Sequence, residues 1–94
     1  MGVPTDAVLV ASTGVIGMQI PVDKITAGIE KLVAAKADTL EAGSDAAHAI
    51  MTTDTISKEI AIETQIGGKT VTLGGMCKGS GMIHPNMCTM LGFV

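Results

Sequence analysis

The residue types able to do chemistry are concentrated towards the C-terminal end of the chain. Gly74, Gly75, Gly79 and Gly81 stand there with Cys77, Lys78, Ser80, His84, Cys88 and Thr89. A glycine loop bearing a lysine can cradle an anion, with backbone N–H groups as donors and the ammonium as charge. The phosphate-binding P-loop is excluded, because Lys78 is followed by Gly79 and not by Ser or Thr. Met76, Cys77, Met82, His84, Met87, Cys88 and Met90 offer thioether, thiolate and imidazole groups, the soft ligands suited to Cu(I). Their spacing is irregular, and Met and Cys are also ordinary core residues, so copper binding is the weaker reading. Cys77 and Cys88 lack the C-x-x-C spacing of a zinc or redox site and are expected as free thiols in a reducing compartment. From pattern alone the stretch reads as a turn-rich surface loop.

The elements that must position these residues follow from hydrophobic spacing. Val8, Leu9, Val10 and Ala11 form a short apolar run that predicts a buried strand over 7–12, ended by Thr13-Gly14. Pro21-Val22-Asp23 marks a helix start, with Asp23 as cap or first-turn acid. Ile25, Ile29, Leu32 and Val33 then share one helical face as far as about Ala37. Gly43 interrupts the chain, Ser44-Asp45 reads as a second cap, and a short helix is expected over 46–51. From Lys58 to Ile66 the period becomes two: Ile60, Ile62 and Ile66 alternate with Glu59, Glu63 and Gln65. Gly67-Gly68 is a two-residue hairpin signal, and Lys69–Leu73 is its partner strand. The glycines beyond Leu73 imply turns or close backbone approach, and the apolar residues from Met87 to Val94 suit either a helix or a strand. Two helices with three or four strands define an α+β class.

Composition narrows the function classes. With 94 residues, the chain holds at most one small domain. Its core must be built from Val, Ile, Leu, Ala and seven Met, because it contains one Phe and neither Tyr nor Trp. That core is marginal by itself, which suggests a part of something larger. Six scattered Lys and Arg at a net charge of −3 leave no basic stripe for nucleic acid. No apolar run approaches the ~18 residues of a membrane span. The opening Met1–Asp6 lacks the features of a signal peptide, and Asp6 stands where a myristoylation signal requires Ser or Thr. A cytoplasmic protein is the default expectation.

Three segments, in order, resemble the ornithine acetyltransferases, the glutamate N-acetyltransferase family of arginine biosynthesis. They are Val8–Gly17, Met51-Thr52-Thr53-Asp54-Thr55, and Gly74–Leu91. The last is similar to the family's self-cleavage motif K-G-x-x-M-x-x-P-x-M-A-T-M-L and is the most specific of the three. The resemblance implies a layered αββα arrangement and a precursor that cuts its own backbone before a threonine, here at Cys88-Thr89. Thr89 would then be the nucleophile. Its freed α-amine, with an unperturbed pKa of roughly 7.7–8.0, could act as base near neutral pH, which an amide nitrogen cannot do.

The implied reaction is ping-pong. Thr89 takes the acetyl group of N-acetylornithine, ornithine leaves, and glutamate collects the acetyl group. Some members accept acetyl-CoA as donor, and no cofactor is implied. By position, Thr13 and Gly14 match the oxyanion hole, whose donors are often worth ~3 kcal/mol each. Thr52 and Lys78 match substrate-binding positions, with Lys78 expected to pair with a substrate carboxylate. Without the resemblance, Thr13-Gly14 would read as a strand-ending turn and Lys78 as a solvated lysine. His84 and Asn86 are read as structural.

The match departs from the family in two respects. Cys88 stands where the family usually has Ala; it is small enough for cutting to survive, although its thiol could compete or slow the rearrangement. Family precursors are also several times longer. The 94 residues are therefore expected to be a single partial domain, the C-terminal part of an α subunit with the first residues of a β subunit. The resemblance implies an α/β heterotetramer in the complete protein and little or no activity in these residues alone. The alternative is a non-catalytic remnant serving as an interaction module.

Overall fold

The structure, a computed structural model, describes residues 2–81 and 89–94. The chain divides into two compact units, Met1–Ala37 and Asp38–Val94.

The first unit opens with a 3-10 turn, Thr5–Ala7. The strand expected over 7–12 does not form, and Val8 to Ser12 carry no regular structure. Leu9 is 96% exposed and Val10 86% exposed. An apolar run becomes a strand only where a neighbour completes its ladder, and no such neighbour pairs with it among the described residues. Thr13 and Gly14 follow, both exposed. The chain then turns at Ile16-Gly17, where the Met18 N–H donates to the Val15 carbonyl at 3.1 Å and Gly17 takes a φ of 84°. That positive φ at the third turn residue is what glycine supplies without strain. Helix α1 spans Val22–Ala35, with Pro21 at its N-cap, where the carbonyl accepts the Lys24 and Ile25 N–H groups, and Asp23 in its first turn. It ends two residues before the expected Ala37. Its apolar stripe is present, but Ile25, Ile29 and Leu32 remain exposed.

In the second unit, helix α2 covers Leu40–Ala49. The expected cap at Ser44-Asp45 is corrected to Thr39, whose Oγ1 accepts the Ala42 N–H at 3.1 Å. Such a cap contributes about 1 kcal/mol, enough to offset the roughly 1 kcal/mol cost of Gly43 inside the helix.

Strands β1 (Lys58–Ile66) and β2 (Lys69–Lys78) form an antiparallel hairpin. Its turn is Gly67-Gly68, at φ 58° and 77°. A positive φ at both central residues matches the right-handed twist of the flanking strands. β2 is longer than the Lys69–Leu73 expected, because it continues through Gly74 and Gly75 to Lys78. Gly75 shows why small size suits this path: a Cβ there would lie 3.3 Å from the Phe93 carbonyl oxygen. A short third strand, β3 (Leu91–Phe93), pairs antiparallel with the end of β2, giving the sheet order β1-β2-β3.

The register puts Ile60, Ile62 and Ile66 on one face with Val71 and Leu73, and Glu59, Ala61 and Glu63 on the other with Gly74 and Met76. Helix α2 approaches the second face, where the Ser44 hydroxyl donates to the Glu59 carboxylate at 3.0 Å. Ala47 is the one completely buried apolar residue among those described. Ile60, Ile62 and Ile66 are exposed on the opposite face. Two helices and a three-stranded antiparallel sheet place the chain in the α+β class. No helix among the described residues is long and apolar enough to cross a membrane.

Candidate functional site

The polar centre of the second unit is the carboxylate of Asp54. It lies in the loop between α2 and β1, with its side chain 5% exposed. Oδ1 accepts the Thr52 N–H at 3.1 Å, and Oδ2 accepts the Gly79 N–H at 3.0 Å. Lys58 donates from Nζ to Oδ2 at 3.3 Å and to the Ile56 carbonyl at 2.8 Å. These bonds favour the ionised form and hold the Asp54 carboxyl at about 2, below its ordinary value. The Gly79 N–H is the largest cause, followed by the Thr52 N–H; burial acts in the opposite direction, and the residue's own N–H and Lys58 add smaller contributions.

A second bond runs in parallel. The Gly81 N–H donates to Thr53 Oγ1 at 3.1 Å. Together these contacts lay the Thr52–Asp54 loop against the Lys78–Gly81 segment. The fit leaves no room at Gly81, where an added Cβ would collide with the Thr53 carbonyl. The glycine N–H groups that the sequence offered as an anion cradle are thus occupied within the protein: Gly79 bonds Asp54 and Gly81 bonds Thr53.

Lys78 remains as a cation. It ends β2 and is buried, with 7% of its surface exposed, so the reading of a solvated lysine does not hold. Its Nζ donates to the Gly79 carbonyl at 2.7 Å. An ammonium carries three donors. Among the described residues, that carbonyl is its only hydrogen-bond partner and no carboxylate lies within ion-pairing distance. Burying a charge without a counter-ion costs several kcal/mol, by rough general estimate, which makes this ammonium a candidate contact for an anionic group.

Strand β3 brings a further sequence-predicted residue to this end of the sheet. Leu91 faces Lys78 across the ladder, and Thr89 lies two residues ahead of it, exposed. Thr52 is also exposed, with its N–H engaged by Asp54. The second unit therefore gathers the Thr52 loop, Lys78 and the approach to Thr89 at one sheet end. Thr13 and Gly14 belong to the first unit. Cys88, the residue before the expected cleavage point, lies outside the described residues, as do His84, Asn86 and the soft ligands Met82 and Met87. Among the described residues, no cluster of His, Cys, Asp or Glu could hold a metal ion. An apolar cleft of about 780 Å³ opens between α2 and the sheet, lined by Leu40, Ala61, Met76 and Phe93, but neither Thr52 nor Lys78 lines it.

Asp54 and Lys58 were not singled out by sequence reasoning. Asp54 does stand two residues after Thr52 in a Thr-rich turn, and an Asp in such a place commonly bonds nearby main chain. Nothing local signals its bond to Gly79.

The second unit thus holds a buried lysine beside two threonine-bearing segments. The chain belongs to the ArgJ family, whose model matches residues 1–94. It is 58% identical over 94 residues to the arginine biosynthesis bifunctional protein ArgJ of Symbiobacterium thermophilum, covering 100% of this chain and 23% of that protein. The corresponding protein of Listeria monocytogenes serovar 1/2a is 53% identical over 92 residues, covering 98% of this chain and 22% of its own length. The chloroplastic protein of Physcomitrium patens is 57% identical over 93 residues, with 99% and 18% covered. The chain spans less than a quarter of the length of these curated relatives. No solved structure matches it.

Proposed function

We propose that this chain carries part of the active site of an acetyltransferase of arginine biosynthesis, moving an acetyl group from N-acetylornithine to glutamate. The observation that carries the reading is Lys78, a buried ammonium without a carboxylate partner among the described residues, in a chain belonging to the ArgJ family. Both amino-acid substrates bear an α-carboxylate, which supplies the missing counter-ion.

In this reading, the Cys88-Thr89 peptide bond is cut and Thr89 gains a free α-amine. The amine takes the hydroxyl proton as Oγ attacks the acetyl carbonyl. The tetrahedral oxyanion is held by donors at Thr13 and Gly14. Its collapse expels ornithine, whose amine receives the proton, and leaves an acetyl ester on Thr89. The amine of glutamate attacks that ester and restores the hydroxyl. Thr52 and Lys78 hold the substrate through both halves. No cofactor is required, and acetyl-CoA is an alternative donor. The finer architecture is the layered αββα arrangement. It is supported by a sheet with α2 on one face and bare Ile60, Ile62 and Ile66 on the other, as a second sheet packed there would bury them.

The purified chain by itself is expected to show little or no N-acetylornithine-dependent acetylation of glutamate, given the small share of its relatives' length that it spans. The test therefore places these 94 residues in the matching position of the Symbiobacterium thermophilum protein. The chimera should cut itself before Thr89, as read by intact mass, and should transfer acetyl groups. Thr89→Ala should abolish both. Transfer that persists in Thr89→Ala would overturn the assignment.

A further inference from the structure

We infer that Asp54 is a positioning residue for the ligand site, fixing the spacing between the Thr52 loop and the Lys78-Gly79 turn so that both contact one ligand as a unit. This rests on the reading of Thr52 and Lys78 as substrate-binding residues.

Each partner of Asp54 lies where a displacement would matter. Oδ1 takes the main-chain N–H of Thr52 itself, and Oδ2 takes the N–H of Gly79, next to Lys78 and separated from Asp54 by 25 residues. Gly79 is also the residue whose carbonyl receives Lys78 Nζ at 2.7 Å. One carboxylate therefore holds the amide plane before Gly79, and the following carbonyl orients the ammonium. The Thr53 hydroxyl fastens Gly81 in the same direction, so the two segments are joined at two points. With its side chain 5% exposed, the carboxylate is largely sealed from the water that would otherwise compete for these donors. Lys58 contributes less: its side chain is 41% exposed, and its second bond is to the Ile56 carbonyl.

The isosteric amide exposes the logic. A carboxylate accepts at both oxygens, whereas an Asn side chain accepts at one and donates at the other. In Asp54→Asn, either orientation turns an NH₂ group towards a main-chain N–H, at Thr52 or at Gly79. The fold keeps its volume, but one of the two tethers becomes repulsive.

The experiment is a nuclear magnetic resonance titration with N-acetyl-L-ornithine, following backbone amides, of the chimera in which these 94 residues stand in the Symbiobacterium thermophilum protein. The Leu73 and Gly68 amides report hairpin integrity, since they lie in and next to β2, away from the clamp. The unaltered chimera should show a saturable response at the Thr52 and Gly79 amides. Asp54→Asn should weaken binding at least tenfold with the hairpin amides unmoved, while Lys58→Met should change it less than twofold. Without ligand, the Thr52 and Gly79 amides should titrate together in acid in the wild type and should not in Asp54→Asn, a signature that a merely space-filling role would not produce. Equal affinity in Asp54→Asn and wild type, or independent titration of the two amides, would overturn the positioning role alone. No saturable response in the chimera carrying the unaltered 94 residues would overturn the substrate reading, and the positioning role with it.

Discussion

The β1–β2 hairpin is closed differently at its two ends. At the turn, Gly67 and Gly68 meet the required geometry by backbone conformation alone, and every residue from Glu59 to Thr70 is exposed. At the open end, Lys78 and Gly79 are buried, and side chains from outside the hairpin tie them down: Asp54 to Gly79 and Thr53 to Gly81. The turn uses only local preferences and so specifies shape. The open end depends on a loop distant in sequence, and it is there that a desolvated cation is held. Polar side chains that cross between segments therefore fasten the end of the hairpin that its own turn does not.

That contrast can be broken from either end. The largest effect is expected for Gly81→Ala, because its methyl group would meet the Thr53 main chain and not a yielding side chain. Overpacking of this kind costs about 1–3 kcal/mol. Urea unfolding should show the loss, and hydrogen exchange should speed up at Gly79 while the turn amides keep their protection. Unchanged exchange at Gly79 would show that the clamp does not depend on this contact.

Gly68→Ala attacks the other end. It forces a Cβ into the left-handed region at φ 77°, at a cost of roughly 1–2 kcal/mol. Here the turn should loosen and the Thr52 and Gly79 amides should stay bonded. Equal loosening at both ends would mean that the hairpin opens as one piece.

Acid gives the smallest and most local test. The folded Asp54 carboxyl, at about 2, lies below the ~3.9 of an unfolded chain. Its contribution to stability is therefore complete above about pH 4 and is lost as pH falls through about 2. Exchange at Gly79 and Thr52, corrected for its intrinsic pH dependence, should accelerate across that window, and in Asp54→Asn it should not.

The hairpin was legible in the sequence because its determinants are neighbours: the isoleucine alternation and two adjacent glycines. Helix α1 was legible for the same reason. The segment from Val8 to Ala11 looked equally plain, yet forms no strand, because a strand requires a distant partner that an apolar run does not encode. The start of α2 was misread because Ser44-Asp45 and Thr39 both fit a capping pattern, and Gly43 drew the boundary between them; the bond from Ala42 to Thr39 decides it. Lys78 stood out in the sequence as the cation of a glycine-rich stretch, whereas the roles proposed for Thr52 and Thr89 come from family resemblance alone. Asp54 stands inside the Thr52–Thr55 segment with no role legible in the sequence, since the bond that matters most to it joins main chain 25 residues away.

The alternation of β2 has a consequence for how this protein can tolerate change. Lys78 ends a strand whose side chains are assigned to one face or the other by counting from Gly68, roughly 30 Å away along the chain. Adding a single residue at that turn, if the pairing slipped to absorb it, would carry the ammonium to the isoleucine side of the sheet. A two-residue addition would return it to its place. Where the pairing absorbs a change in loop length at the tip, only even steps keep Lys78 on its face, although the tip lies at the far end of the strand.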